Sequence, residues 1–222
     1  MDSSRTVYER LLDRYGPQHW WPAETPFEVI VGALLMQQTA WRNVDEAIRH
    51  LKRAGLLDVR AIASASVPVL RRHVKVTGLY RTKPRRLQRF CRHLLIRSDG
   101  DLKAYFDRPT DVVRADLLAQ EGVGPETADS ILLYAGNHPV FLVDAYTIRV
   151  GRRIGLFDTD QYPAVQRYFE DSMPRDLGLY QEYHALVVKH AVTLCRRTPK
   201  CDPCPVRDLC DYGSGRGHAI VK

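Results

Sequence analysis

Apolar residues recur at helical spacing along almost the whole of this 222-residue chain. Within residues 5–15, for example, Val7, Leu11 and Tyr15 lie on one helical face, and a Gly-Pro pair follows. No segment alternates apolar and polar residues as a half-buried strand does. The sequence therefore predicts an all-α fold with helices over residues 5–15, 27–38, 41–53, 67–74, 84–96, 111–120, 126–134, 145–154, 164–173 and 179–194.

Composition excludes several classes of protein. Hydrophobic residues make up 45% and charged residues 27% of the chain, which is ordinary for a globular domain. No apolar run approaches the ~18 residues that a membrane helix needs. The first five residues lack the apolar centre of a signal peptide. We therefore expect a cytoplasmic protein, associated with the nucleoid if the source is prokaryotic.

The chain carries more basic than acidic residues. Lys and Arg number 33 and Asp and Glu number 26, so the formal net charge is 33 − 26 = +7, and the pI is about 9.3. This balance favours polyanionic partners such as nucleic acid or an anionic membrane surface.

A tight Gly-x-Gly turn separates two of the predicted helices. Gly122 and Gly124 follow an apolar helix, and Pro125 begins the next helix. Glycine permits positive φ angles and close approach of a second backbone. The amide groups at the start of the following helix suit a phosphate of DNA. A plain helical hairpin without a ligand is the alternative.

Four of the five cysteines fall within 16 residues near the C-terminus. Their spacing is Cys195-x5-Cys201-x2-Cys204-x5-Cys210. In a reducing compartment such a group indicates metal ligation rather than disulfides. One C-x2-C with two wider gaps favours a compact loop around an iron–sulfur cluster, and a Cys₄ zinc site is the alternative. Three cations between the first two cysteines are candidate phosphate contacts, namely Arg196, Arg197 and Lys200.

These motifs together resemble the endonuclease III superfamily of helix-hairpin-helix DNA glycosylases, which excise damaged bases. The resemblance covers nearly the whole chain and includes Val143–Tyr146 (VDAY) and His190 five residues before Cys195. It implies a [4Fe–4S] cluster held by the four C-terminal cysteines. The first gap between cysteines is five residues, one shorter than in endonuclease III itself.

The resemblance also implies which residues contact DNA. Gln37, in the stretch Met-Gln-Gln-Thr, takes the place of the family's glutamine that fills the gap left by a flipped base. Leu79, in Thr-Gly-Leu-Tyr, takes the place of the leucine that wedges into the base stack. The hairpin residues Gly122, Gly124 and Thr127 are expected to bind the DNA backbone.

A basic run follows the wedge turn. A solvated helix face is one interpretation, and a face toward the DNA backbone is the favoured one because Leu79 is adjacent. The run consists of Arg81, Lys83, Arg85, Arg86 and Arg89.

Two acidic residues are the candidates for catalysis. Asp144 matches the family's catalytic aspartate, whose charge stabilises the positive deoxyribose formed as the base leaves. It also precedes a predicted helix, so it is a candidate N-cap as well. Glu126 stands where the bifunctional family members have a lysine that forms a Schiff base. Glutamate cannot do so, which predicts a monofunctional enzyme that leaves an abasic site, with weak or absent lyase activity.

Tryptophans flank the segment that carries Gln37. Trp21 and Trp41 resemble the aromatic pocket of the 3-methyladenine glycosylase branch of the superfamily. Electron-rich indole faces attract a cationic alkylated purine, and the Glu126 carboxylate would add to that attraction. Packing in the core or at a domain seam is the alternative for both tryptophans.

The sequence thus predicts two helical lobes. A helical-barrel lobe spans residues 25–136, with the helix-hairpin-helix at about 111–134, and a cluster lobe joins residues 1–24 to 137–222. Damaged double-stranded DNA is expected to lie across the cleft between the lobes of a monomer. An enzyme for oxidised pyrimidines and a non-catalytic DNA-binding module are the alternatives.

Overall fold

The computed structural model describes residues 3–215, which form twelve α-helices, one short 3₁₀ helix and no β-strand. The α-helices are α1 (Ser3–Tyr15), α2 (Pro26–Leu35), α3 (Trp41–Arg53), α4 (Val59–Ser64), α5 (Val67–Val74), α6 (Lys83–Ser98), α7 (Leu102–Phe106), α8 (Thr110–Leu118), α9 (Pro125–Tyr134), α10 (Ala145–Ile154), α11 (Tyr162–Ser172) and α12 (Leu177–Thr193). The 3₁₀ helix, Lys75–Thr77, lies between α5 and α6. The predicted all-α class is confirmed. None of the helices described is long and apolar enough to cross a membrane.

The chain divides into two compact units. The first unit joins Met1–Trp20 to Pro139–Lys222, and the second unit is Trp21–His138. The first unit contains α1 and α10 to α12, and the second contains α2 to α9. The assignment of a barrel lobe and a cluster lobe to parts of the chain stays a prediction.

Aromatic rings form the centre of the first unit. Phe141 stacks on Phe169 with ring centroids 4.1 Å apart, and Tyr183 meets Phe169 edge to face. All three side chains are buried. The hydroxyl of Tyr183 donates to the backbone carbonyl of Ser4 at 2.9 Å, which ties α12 to α1.

The second unit contains α2, whose residues from Phe27 to Leu35 are all buried. The Thr25 hydroxyl caps the helix by accepting a hydrogen bond from the Glu28 amide. Glu28 is buried as well, and its carboxylate pairs with Lys52 at 3.0 Å. Apart from Glu28, α2 is apolar on every side, as is expected of a helix inside a packed domain.

The buried carboxylate of Asp116 in α8 connects this helix to α6 and to the segment that follows α7. Burial by itself raises the pKa of Asp116, but hydrogen bonds from Arg97, His93 and Arg108 outweigh this and hold the pKa at about 2. The donors come from α6 and from the segment that follows α7. Asp116 is thus ionised and its acceptors are well used, as a buried charge requires.

The predicted helices over 41–53, 67–74 and 145–154 match α3, α5 and α10. The prediction for residues 27–38 is too long at its C-terminal end, because α2 ends at Leu35 and Gln38 has a φ of +54°. Helices α4 and α7 were not predicted, since six and five residues are too short to show a helical period.

Candidate functional site

The hairpin between α8 and α9 has two glycines, which differ in backbone conformation and in the space around them. Gly122 has a φ of +80°, and a Cβ on it would collide with the side chain of Arg86. Gly124 has a φ of −95° and a ψ of 178°, an extended N-cap that any residue adopts. A Cβ on Gly124 would project into open space. Of the two glycines, only Gly122 uses the positive φ that glycine permits.

Gln37 is held against this hairpin. Its side-chain amide donates to the carbonyl of Gly122 at 2.6 Å and to the hydroxyl of Thr127 at 3.3 Å. Its amide oxygen accepts from Arg86 at 3.4 Å. The side chain of Thr127 is buried, so a contact of Thr127 with DNA would use its backbone. The structure thus brings together three of the predicted DNA-contacting residues.

The turn after the 3₁₀ helix presents an apolar side chain to solvent. Gly78 and Leu79 have φ angles of +73° and +44°, which for leucine is a strained conformation. The Leu79 side chain is 41% exposed and that of Tyr80 is 49% exposed. Strain combined with an exposed apolar side chain is typical of a functional site rather than of a stable core.

The basic run after this turn is only partly available to a ligand. Lys83 is buried, and Arg86 and Arg89 pair with Glu121. Arg81 and Arg85 are exposed. The prediction that the whole run faces the DNA backbone is therefore wrong for Lys83. The run of charges did not reveal that one of them is buried against the ends of two other helices.

Trp21 and Trp41 contact each other. Their ring centroids lie 5.4 Å apart with the planes at 84°, and Trp21 also lies 5.6 Å from the ring of Tyr134. Gly32 of α2 allows the Trp21 indole to lie directly on that helix. The rings meet edge to face, so they form an L-shaped aromatic surface rather than a parallel slot. Glu126 is exposed in the first turn of α9.

Asp144, in the first unit, is the N-cap of α10. Its Oδ1 accepts hydrogen bonds from the Thr147 amide at 2.7 Å and from the Thr147 hydroxyl at 2.8 Å. Its Oδ2 lies 3.6 Å from Nε2 of His184 in α12. The cap thus occupies one oxygen and leaves the other directed toward the histidine.

The surroundings of Asp144 keep it ionised. Burial raises the pKa of Asp144, but the His184 imidazole and the two Thr147 donors outweigh burial and hold the pKa below its ordinary value. His184 is itself buried, and its contact with Asp144 was not predicted from the sequence. The two residues are forty positions apart, and no spacing rule connects them.

Cys195, Cys201, Cys204 and Cys210 all line one pocket in the first unit. The Arg153 guanidinium donates to Sγ of Cys195 at 3.5 Å, and the Gly213 amide donates to Sγ of Cys210 at 3.3 Å. Burial raises the pKa of the Cys204 and Cys210 thiols. Within residues 3–215, no three His, Cys, Asp or Glu side chains are grouped so that they could hold a metal ion.

The cations between the first two cysteines lie at the surface. Arg196, Arg197 and Lys200 are all exposed. Arg153 donates to the backbone carbonyls of Arg196 and Arg197 at 2.6 and 3.0 Å. An arginine of α10 thus holds the backbone of the loop while its charged side chains face solvent.

The helix-hairpin-helix, the all-helical fold and the capped aspartate define a class of DNA-repair proteins. The family model described as "HhH-GPD superfamily base excision DNA repair protein" matches residues 31–175. The chain belongs to this superfamily and is a base-excision DNA glycosylase. The resemblance to the endonuclease III superfamily is confirmed.

Known proteins similar to the chain come from two branches of the superfamily. A Methanocaldococcus jannaschii protein, named as a candidate DNA repair glycosylase, is 42% identical over 92% of this chain and 94% of its own length. A 3-methyladenine DNA glycosylase of H. pylori bound to 1,N6-ethenoadenine is 25% identical, with a TM-score of 0.72 over 86% of this chain and 97% of that one. An endonuclease III in a non-covalent DNA complex is 23% identical, with a TM-score of 0.82 over 96% and 95% of the two chains.

Proposed function

We propose that this glycosylase is monofunctional and hydrolyses the N-glycosidic bond of a flipped, alkylated purine of the 3-methyladenine type. Glu126 carries the proposal, because an exposed carboxylate occupies the first turn of α9 where the family's bifunctional members have their lysine. A carboxylate cannot form a Schiff base with the sugar. The product is therefore free base and an intact abasic strand.

Asp144 supplies the negative charge for bond cleavage. As the base departs, positive charge develops on the deoxyribose, and an ionised carboxylate stabilises it. Water then adds at the sugar carbon and loses a proton to solvent. The lowered pKa of Asp144 supports this role, since the carboxylate is already charged when the substrate binds.

The aromatic surface of Trp21 and Trp41 favours a cationic base. An alkylated purine carries positive charge, which an indole face attracts by roughly 0.5–2 kcal/mol. Glu126 adds a negative charge for such a base. The similarity to the H. pylori 3-methyladenine glycosylase supports the same substrate class. A base that is already cationic is also a good leaving group, so modest catalysis suffices.

Release of bases from methylated duplex DNA tests the substrate assignment. We expect 3-methyladenine in the supernatant and no strand cleavage until the abasic sites are opened chemically. Faster release of thymine glycol from an oxidised duplex would replace this proposal with an enzyme for oxidised pyrimidines. If neither duplex releases a base, the alternative of a non-catalytic DNA-binding module would replace the proposal.

Borohydride trapping on abasic DNA tests the absence of lyase chemistry. We expect no covalent complex above background. Trapping as strong as that of a bifunctional enzyme would show that another amine, such as Lys189 or Lys200, forms the Schiff base.

The cysteine pocket fits a [4Fe–4S] cluster. All four cysteines line it, and two N–H groups are directed at their sulfurs, as is usual around iron–sulfur clusters. A bound cluster would cross-link the loop that carries Arg196, Arg197 and Lys200. Hydrolysis itself needs only the residues named above.

Metal analysis of the purified protein tests the cluster. We expect about four iron atoms per chain and a broad absorption near about 400 nm. Cys204→Ala should lose the iron, and Cys91→Ala, which changes a buried cysteine outside the pocket, should keep it. A colourless protein with one zinc would contradict the assignment.

Contacts with the DNA backbone are proposed for both units of a monomer. In the second unit, the open space beside Gly124 leaves room for a phosphate at the start of α9. In the first unit, Arg196, Arg197 and Lys200 are exposed cations. Affinity should fall steeply with salt, by about −0.9 in the log–log slope for each phosphate contacted. Arg197→Ala should weaken binding equally on damaged and undamaged duplex, because phosphates carry no base information.

A further inference from the structure

Lys83, the first residue of α6, is buried to an unusual degree for a lysine. Its side chain is 2% exposed. Its ammonium donates to two backbone carbonyls, that of Leu35 at 2.9 Å and that of Thr77 at 2.6 Å. A buried charge requires such hydrogen bonds, because water is absent.

The two carbonyls belong to the last residues of two different helices. Leu35 ends α2, and Thr77 ends the 3₁₀ helix. Carbonyl groups at a helix C-terminus lack intrahelical partners and carry partial negative charge. One ammonium therefore connects two helix ends that are 42 residues apart in the chain (77 − 35).

Each of these helix ends leads, two residues later, to a side chain proposed to enter the duplex. Gln37 follows Leu35 by two positions, and Leu79 follows Thr77 by two positions. The backbone amide of Lys83 also donates to the carbonyl of Leu79 at 3.0 Å. Lys83 thus contacts the Leu79 turn at two points and the α2 end at one.

We propose that Lys83 is a positioning residue whose buried ammonium sets the spacing between the Gln37 segment and the Leu79 turn, so that both side chains enter one gap in the duplex. This inference rests on the proposed DNA contacts of Gln37 and Leu79. Burial lowers the pKa of Lys83 to about 8, which leaves it charged at neutral pH. A methionine would fill the same space without joining the two carbonyls.

Binding to two duplexes separates positioning from general attraction to DNA. In Lys83→Met we expect unchanged affinity for an undamaged duplex and about tenfold weaker binding to a duplex with a tetrahydrofuran abasic analogue, a ratio that corresponds to 1.4 kcal/mol. Lys83→Arg, which keeps a cation, should recover part of the loss. Lys103→Met, which removes an exposed lysine of α7, is the matched control and should bind both duplexes as wild type does.

A double-mutant cycle shows whether Lys83 acts through Leu79. If it does, Lys83→Met should weaken binding to the abasic duplex much less in the Leu79→Ala background than in the wild type. Equal costs in both backgrounds, or an equal loss on undamaged duplex, would overturn the inference. Circular dichroism and thermal unfolding establish that each variant is folded.

A second measurement decides the question if Lys83→Met does not fold. Gln37→Ala and Leu79→Ala alter partly or largely exposed side chains, and the inference predicts that their losses on the abasic duplex are coupled. Additive losses would overturn it. These outcomes are independent of base release by the wild type, which tests the proposed function instead.

Discussion

Asp144 and Glu126 are the two carboxylates proposed to act in the chemistry, and both lie at the start of a helix. Asp144 is the N-cap of α10, where Thr147 donates two hydrogen bonds to one oxygen and His184 lies near the other. Glu126 lies in the first turn of α9, and its side chain is exposed. A helix N-terminus favours a negative charge at both positions.

The two carboxylates differ in how strongly solvent screens their charge. The Asp144 side chain is only 13% exposed, so water screens its charge weakly. Water and salt screen the exposed Glu126 carboxylate. A fixed and weakly screened charge stabilises a developing cation more than a mobile one does. We therefore assign the larger catalytic effect to Asp144, and four predictions test this difference.

The largest expected effect is that of Asp144→Asn. Asparagine still caps α10, so fold and DNA binding should persist. Single-turnover base release should fall about 10²–10³-fold, because the negative charge is lost. Asp176→Asn is the matched control, since Asp176 caps α12 in the same way and is exposed. If Asp144→Asn lowers the rate of base release by less than tenfold, Asp144 does not have the larger catalytic effect assigned to it.

His184→Gln should change the pH dependence of base release. His184 lowers the pKa of Asp144, while burial raises it. Without the imidazole the pKa of Asp144 rises, and the acid limb of the rate profile should move to higher pH. The profile of single-turnover rates between pH 4 and about 8 checks this. An unchanged acid limb would show that His184 only packs against the aspartate.

Glu126→Gln should have a smaller and substrate-dependent effect. The exposed carboxylate assists only by attracting a cationic base, so release of 3-methyladenine should fall by about threefold or less. Release of a neutral base such as uracil, where measurable, should not change. A loss as large as that of Asp144→Asn would place Glu126 at the reacting atoms.

The smallest effect is on stability. Because the folded pKa of Asp144 is lowered, its charge stabilises the fold above the unfolded pKa of about 3.9, and this contribution is lost as the pH falls through the folded value. Asp144→Asn should therefore cost about 1 kcal/mol or less at pH 7 and nothing at the lowest pH that still permits folding. Urea unfolding at several pH values measures the difference in the free energy of unfolding between wild type and variant. A difference that does not change with pH would contradict this prediction.

Helix positions and motif residues were predictable because they depend on local chemistry. The helical period, Pro125 and the glycine of the hairpin predicted α8 and α9 to within about two residues. Asp144 was predicted as a cap because it directly precedes an amphipathic helix. The four cysteines were predicted to act together from their spacing alone, and all four do line one pocket.

Contacts between distant segments were not predictable in this way. The amide of Gln37 pairs with the hairpin 85 residues later, and His184 reaches Asp144 across forty residues. Lys83 is the clearest case, because a basic run indicates a solvent-exposed helix face, and only the structure shows that Lys83 is buried. The sequence by itself determined the helices, their caps and the chemical types at the site, since these follow from neighbours in the chain. The tertiary structure decided which groups are buried, which carbonyls a buried ammonium meets and what holds a carboxylate charged, because these depend on packing that removes water.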